Sequence, residues 1–110
     1  MLLYRIVRTN PPTLRDFTSG AALGRPLATE SPEALRLHLG LSVFATAMQA
    51  ARLLEEWPAL GTFIAVLDIR DADAFHVERT TRRRGHHTIW ANPGDLLQRV
   101  IAVALAVDVR

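Results

Sequence analysis

The start of the chain is rich in residues that favour β-strands. Residues 2–8 predict a strand in which alternation would put Leu3, Arg5 and Val7 on one face, and two prolines soon follow. Residues 63–69 are almost continuously apolar, which predicts a strand buried on both faces. Further strands are predicted over residues 41–45, 75–80, 86–91 and 100–109. The alanines of the last segment leave a helix open as an alternative.

Two helices are predicted from the residues that would cap them. Ser31 precedes a proline and an acid, which predicts a helix over residues 32–39. Thr46 is followed three residues later by Gln49, and this capping box predicts a helix over residues 47–57. Shorter elements are predicted within residues 13–23 (a helix), 71–73 (a turn), 81–85 (a hairpin tip) and 92–95 (a turn).

The order of these elements predicts an α+β fold. Strands and helices segregate along the chain, which favours a mainly antiparallel, twisted β-sheet accompanied by short helices. With 110 residues, of which 49% are hydrophobic, residues 1–110 are expected to form a single domain with one modest core.

Composition excludes several kinds of chemistry. The chain has no cysteine, so disulfides and thiolate catalysis are excluded. His86 and His87 are adjacent on a predicted strand and would point to opposite faces, so no metal site is expected.

The sequence has no apolar run of about 18 residues and no signal peptide, so we expect no membrane association and a cytoplasmic location. Export by a dedicated secretion machine without a signal peptide remains open.

All thirteen basic residues are arginine, and the net charge is only +2. This balance gives no reason to expect specific nucleic-acid binding. It does mean that any anion site must use guanidinium groups, which suit bidentate contact with phosphate or carboxylate.

Three segments carry candidate chemistry. Arg5 lies within the first strand, where it is either a structural residue, exposed or paired with an acid such as Asp68, or a ligand for a phosphate or ribose. The second segment is a strand-to-helix corner, at which free backbone N–H groups favour anions. Its candidates are Ser42, Phe44 and Thr46, although capping and core packing explain Thr46 and Phe44 as well.

The third segment is a late strand that begins with His86 and His87. One of these histidines could hydrogen-bond a substrate or act as an acid or base near neutral pH. The alternative is the polar start of a strand beside a solvated arginine-rich tip. No Gly-rich phosphate loop and no catalytic carboxylate pair is present.

Taken in order, these segments resemble the ADP-ribosyltransferase-like superfamily in its small bacterial toxin branch. The opening Tyr4-Arg5-Ile6-Val7 and the later Phe17-Thr18-Ser19-Gly20 are similar to RES-type toxins. The opening Leu3-Tyr4-Arg5, the corner Gly40-Leu41-Ser42-Val43-Phe44 and the strand His86-His87-Thr88-Ile89 are similar to Tse-type effectors of type VI secretion.

The resemblance implies a split β-sheet and NAD as a bound substrate. It would make Arg5 and His86 the catalytic residues, with Arg5 also holding the NAD phosphate or ribose and Phe44 stacking near nicotinamide. The remaining cofactor-binding residues would be Tyr4, Ser42, Thr46 and His87. It further implies toxin–antitoxin biology, with a cognate antitoxin or immunity protein as partner. The expected activity is ADP-ribosyl transfer or NAD hydrolysis.

The late strand carries His86 and His87 where many transferases have a glutamate. This difference keeps a second hypothesis open, a non-catalytic module that binds a nucleotide or a partner on the same fold. A third hypothesis is a dimerisation module, in which residues 100–109 form an apolar edge strand that pairs with a second copy. The first hypothesis requires Arg5, Ser42, Phe44 and His86 to converge on one cleft.

Overall fold

Six strands form one antiparallel sheet in the computed structural model, which describes residues 1–109. Their order across the sheet is β4-β5-β2-β1-β3-β6. The strand bounds are β1 Leu2–Val7, β2 Leu41–Phe44, β3 Phe63–Asp68, β4 His76–Arg79, β5 His86–Trp90 and β6 Val100–Leu105. Because the sheet is antiparallel and is accompanied by short helices, the predicted α+β class is confirmed.

The helices are short, and the two capped ones begin where their capping residues predict. The helices are α1 Pro32–His38, α2 Ala47–Glu56 and α3 Pro93–Leu97. At the start of α1, the Ser31 hydroxyl accepts a hydrogen bond from the main chain of Ala34. At the start of α2, Thr46 and Gln49 accept from each other's backbone N–H groups, so the predicted capping box is confirmed.

Three local predictions need correction. The segment predicted as a turn at residues 92–95 begins α3, because the Asn92 side chain caps Gly94 and Leu96 is buried. Within residues 13–23, only Leu14–Phe17 is helical, as one turn of 3₁₀-helix. The last strand ends at Leu105, and Ala106–Asp108 form another 3₁₀ turn.

Strand alternation divides the buried apolar side chains between the two faces of the sheet. Leu3 and Val7 of β1 join the larger cluster, whereas Tyr4 and Ile6 pack on the smaller one, beneath α2. In β3, Ala65 and Leu67 belong to the larger cluster, and Ile64 belongs to the smaller one. The prediction that this strand is buried on both faces is therefore confirmed.

The sheet is nearly split between β1 and β2. β1 pairs with β3 along its whole length, but it pairs with β2 only at Tyr4 and Phe44. Beyond that pair, towards the end of β1, the main chains of Ile6 and Ser42 form no ladder. This opening leaves backbone groups of β2 available to side chains, and it positions the candidate site.

The two edges of the sheet differ in polarity. β4 carries His76, Glu78 and Arg79, whereas β6 is entirely apolar, with Ile101 and Leu105 exposed. Charged residues protect an edge strand against pairing with another chain, and β6 has none. Dimerisation through β6 stays a prediction.

Within residues 1–109, every helix is too short or too polar to cross a membrane.

Candidate anion-binding cavity

A cavity of about 430 Å³ lies where β1 and β2 separate. Its walls come from both strands, from residues 8–25, from the end of α1, and from α2 with the turn that follows it. Three residues singled out in the sequence line it together: Arg5, Ser42 and Phe44. The cavity therefore brings side chains of β1 and β2 together, without Thr46 of the strand-to-helix corner.

The Arg5 guanidinium is held by two main-chain carbonyls. Its Nε donates to the carbonyl oxygen of Asp16 at 3.1 Å, and its Nη1 donates to that of Ser42 at 2.8 Å. The second bond takes the place of the missing β1–β2 ladder, since the Ser42 carbonyl faces the opening. Arg5 does not pair with Asp68, whose carboxylate accepts from Arg70 instead, so the interpretation of Arg5 as a partner of Asp68 is wrong.

The remaining Nη2 atom of Arg5 is not used by the described chain. Every buried side-chain nitrogen within residues 1–109 has a hydrogen-bond partner and Nη2 has none, so this atom keeps some exposed surface. Because Arg5 lines the cavity, we infer that this surface faces it. Burial lowers the pKa of Arg5 to about 10, with the charge of Asp16 raising it and that of Arg25 lowering it further. The group is still a cation at neutral pH.

Asp16 fixes the loop that closes the cavity. One of its carboxylate oxygens accepts from the backbone N–H of Arg8 at 2.8 Å, and the other accepts from that of Thr13 at 2.9 Å. The hydroxyl of Thr9 donates to the second oxygen at 3.3 Å. Because the chain uses both oxygens, this buried carboxylate is structural. The main-chain carbonyl of the same residue orients Arg5.

The cavity is strongly cationic. Arg8, Arg15 and Arg25 join Arg5 in lining it, against the single carboxylate of Asp16. These three arginines are exposed, and none forms an ion pair within residues 1–109. None of the three was singled out from the sequence. The available signal was four arginines with one acid in the first 25 residues.

His86 does not line this cavity and contacts it only through Ser42 and Phe44. The convergence of four residues on one cleft, which the first hypothesis requires, is therefore not met. By strand alternation His86 lies on the face of Ser42 and Phe44, whereas Arg5 leaves β1 on the face of Leu3. Its Nε2 lies 2.9 Å from the Ser42 hydroxyl, and its ring packs edge-on against Phe44, with centroids 5.4 Å apart. Ser42 thus contacts Arg5 through its carbonyl and His86 through its hydroxyl.

The pKa of His86 is lowered from its usual 6.5, mainly because burial disfavours the charged imidazolium. A hydrogen bond with the Thr80 main chain acts in the opposite direction, while nearby His87 and Arg83 lower the pKa further. The imidazole is therefore neutral at physiological pH, with one nitrogen able to accept a proton.

Three other predicted site residues lie elsewhere. Tyr4 packs on the smaller core cluster, and Thr46 is an exposed helix cap. His87 points away from His86 and contacts the carbonyl oxygen of Gly85 at 2.9 Å. None of the three lines the cavity. Within residues 1–109, no three histidine or acidic side chains come close enough together to hold a metal ion.

Comparison with protein-family models, with curated proteins and with solved structures finds no match. The similarity to ADP-ribosyltransferase-like toxins therefore remains a prediction from short sequence motifs.

Proposed function

We propose that this chain binds NAD in the arginine-lined cavity and acts on it as a divergent ADP-ribosyltransferase or NAD glycohydrolase. One observation carries the proposal. The Arg5 guanidinium is fixed by the carbonyls of Asp16 and Ser42, while its Nη2 is open to the cavity. A cation that is already oriented before the ligand arrives loses little conformational entropy on binding.

The charge and size of the cavity suit a dinucleotide phosphate. Guanidinium groups bind phosphate oxygens in a planar, two-point geometry, and Arg8, Arg15 and Arg25 offer three more of them. A volume of about 430 Å³ lies within the range of small-molecule sites, and Phe44 with Leu53 supplies apolar wall against which a ring can pack. A pyrophosphate at Arg5 would satisfy the open Nη2.

A second candidate is a nucleotide-binding module without turnover. Cleavage of the nicotinamide–ribose bond develops positive charge on the ribose, which a carboxylate stabilises in many transferases that the sequence resembles. Asp16 is the single carboxylate at the cavity, and the chain already uses both of its oxygens. This observation favours binding without cleavage. An antitoxin or immunity partner follows from the toxin proposal alone.

Nicotinamide release separates the two candidates. Purified protein is incubated with NAD, nicotinamide is measured by chromatography, and the melting temperature is recorded with NAD and with ADP-ribose. Release that is lost in Arg8→Gln/Arg25→Gln but kept in Arg52→Gln supports the enzyme. Arg52 is a suitable control because it is exposed on α2 and does not line the cavity.

A higher melting temperature without release supports the binding module. No release together with no shift by either nucleotide contradicts both candidates.

A further inference from the structure

His86 is held by the hairpin that precedes β5. Its Nδ1 lies 3.1 Å from the carbonyl oxygen of Thr80. A carbonyl oxygen can only accept, so this contact favours the tautomer in which Nδ1 carries the proton and donates it. The Thr80 hydroxyl, also 3.1 Å from Nδ1, is itself bonded to the buried hydroxyl of Thr88 at 2.6 Å, which keeps this end of the hairpin in place.

The other ring nitrogen is therefore an acceptor directed at Ser42. With the proton on Nδ1 of a neutral imidazole, the 2.9 Å contact between Nε2 and the Ser42 Oγ is one in which the serine donates. The Phe44 ring, packed edge-on against His86, limits rotation of the imidazole. A hydroxyl, a neutral imidazole and a group that orients the imidazole form the arrangement that activates serine nucleophiles.

Ser42 differs in this respect from the other two serines of the chain. The Ser19 and Ser31 hydroxyls accept hydrogen bonds from backbone N–H groups and so act in local turns and caps. Ser42 sits within a strand, is exposed, and lines the arginine-rich cavity. Its hydroxyl lies 2.9 Å from Nε2 of an imidazole instead of accepting from the backbone.

We propose that Ser42 is a nucleophile with His86 as its general base, acting on an ester or thioester that carries a phosphate or carboxylate group. The Ser42 Oγ attacks the acyl carbon and passes its proton to Nε2 of His86. The bond to the leaving alcohol or thiol then breaks, and His86 protonates the leaving group. Water, deprotonated by the same nitrogen, hydrolyses the acyl-serine and restores the free hydroxyl.

The cationic cavity supplies positive charge for the developing oxyanion and for the anionic group of the substrate. The Arg5 guanidinium, bonded to the Ser42 carbonyl, supplies a positive charge close to Ser42 that would favour a developing oxyanion. Arg8, Arg15 and Arg25 would hold the anionic group of the substrate. This inference goes beyond the proposed function and needs no NAD, so either one can fail alone.

Covalent labelling with a fluorophosphonate tests the inference directly. The reagent forms an O–P bond with an activated serine and releases fluoride, and intact mass with peptide mapping locates the adduct. We expect labelling at Ser42, none in Ser42→Ala, and at least about 100-fold slower labelling at Ser19 and Ser31 of the same molecule. Labelling of Ser42 no faster than that of Ser19 and Ser31 would overturn the proposal.

His86→Asn tests the base, because an asparagine amide can still donate to the Thr80 carbonyl but cannot accept the serine proton. We expect Ser42 labelling to slow by about 100-fold. If circular dichroism shows that this variant does not fold, the pH dependence of wild-type labelling decides the question. The rate should fall on acidification with a midpoint below 6.5, because burial of His86 and its neighbours His87 and Arg83 lower the pKa of the imidazole. A rate that does not change from pH 8 down to the pH at which the protein unfolds would exclude His86 as the base.

Discussion

The Nη1 atom of Arg5 donates a 2.8 Å hydrogen bond to the carbonyl oxygen of Ser42, across the line where β1 and β2 stop pairing. An arginine side chain thus occupies the position of a strand-to-strand hydrogen bond. The same guanidinium also donates to the carbonyl of Asp16, which belongs to the loop that closes the cavity. Arg5 therefore joins the two halves of the sheet and the loop while keeping one nitrogen open to the cavity.

Replacing Arg5 should destabilise the fold as well as remove the cation. Arg5→Met keeps an unbranched, flexible side chain but leaves the carbonyls of Asp16 and Ser42 without their donor, so we expect a loss of about 3 kcal/mol in the free energy of unfolding. Urea denaturation measures it. Arg52→Met, on the exposed face of α2, should change stability by less than about 0.5 kcal/mol. Equal effects of the two substitutions would show that Arg5 does not join these elements.

The carboxylate of Asp16 should matter for stability out of proportion to its size. In Asp16→Asn, one oxygen becomes an NH₂ group and faces a backbone N–H of Arg8 or Thr13, leaving a buried donor unsatisfied. We expect a loss of about 1–3 kcal/mol, measured by urea denaturation. The matched change Asp71→Asn, at an exposed position, should be close to neutral. A neutral Asp16→Asn would contradict the role given to this carboxylate.

Two glycines with the same left-handed backbone conformation provide a test of the packing at the corner between β2 and α2. Gly24 and Gly85 have φ of +73° and +76°. A Cβ at Gly24 meets nothing within 4 Å, whereas one at Gly85 would lie 1.8 Å from the Gln49 side-chain oxygen that caps Thr46. Both alanine variants should pay the left-handed backbone cost of about 1–2 kcal/mol.

Gly85→Ala should lose more, because Gln49 must leave the capping box at the start of α2. Thermal denaturation of the two variants compares them directly. A smaller loss at Gly85 than at Gly24 would mean that Gln49 is not held against the hairpin.

The dependence of the free energy of unfolding on pH, on the acid side, should reflect the protonation of His86. Because burial lowers its pKa below 6.5, the unfolded chain binds a proton before the folded chain does as pH falls. The stabilisation from neutral His86 is therefore complete above pH 6.5 and is lost progressively between 6.5 and the lower pKa of the folded state. NMR titration of the imidazole resonances should give a His86 midpoint below 6.5. A midpoint above 6.5 would contradict the buried, neutral imidazole.

Local signals predicted most of the elements correctly, since capping residues and strand periodicity act over a few residues. Ser31 and Thr46 mark their helices in the sequence because each accepts a bond from a residue three positions away. α3 was missed because Asn92-Pro93-Gly94 is typical of both a turn and a helix start. Burial of Leu96, a tertiary effect, favours the helix.

The site was predictable only in part, because its contacts are long-range. Arg5 and Ser42 were singled out individually, but their contact spans 37 positions and depends on the loss of pairing between β1 and β2. The role of Asp16 depends on a loop that folds back on itself, for which alternation gives no signal. Thr80 orients the His86 ring because a hairpin brings the Thr80 carbonyl to Nδ1 of His86. The spacing of the two residues in the sequence does not reveal this contact.

The central claim is that the four-arginine cavity binds NAD, and calorimetric titration of NAD into the folded protein at low salt tests it most directly. We expect one site per chain in the wild type and in Arg52→Gln. In Arg8→Gln/Arg25→Gln, each lost guanidinium should weaken binding by about tenfold. Absence of NAD binding to the wild type, or equal affinity in the double variant and the Arg52→Gln control, would contradict the claim.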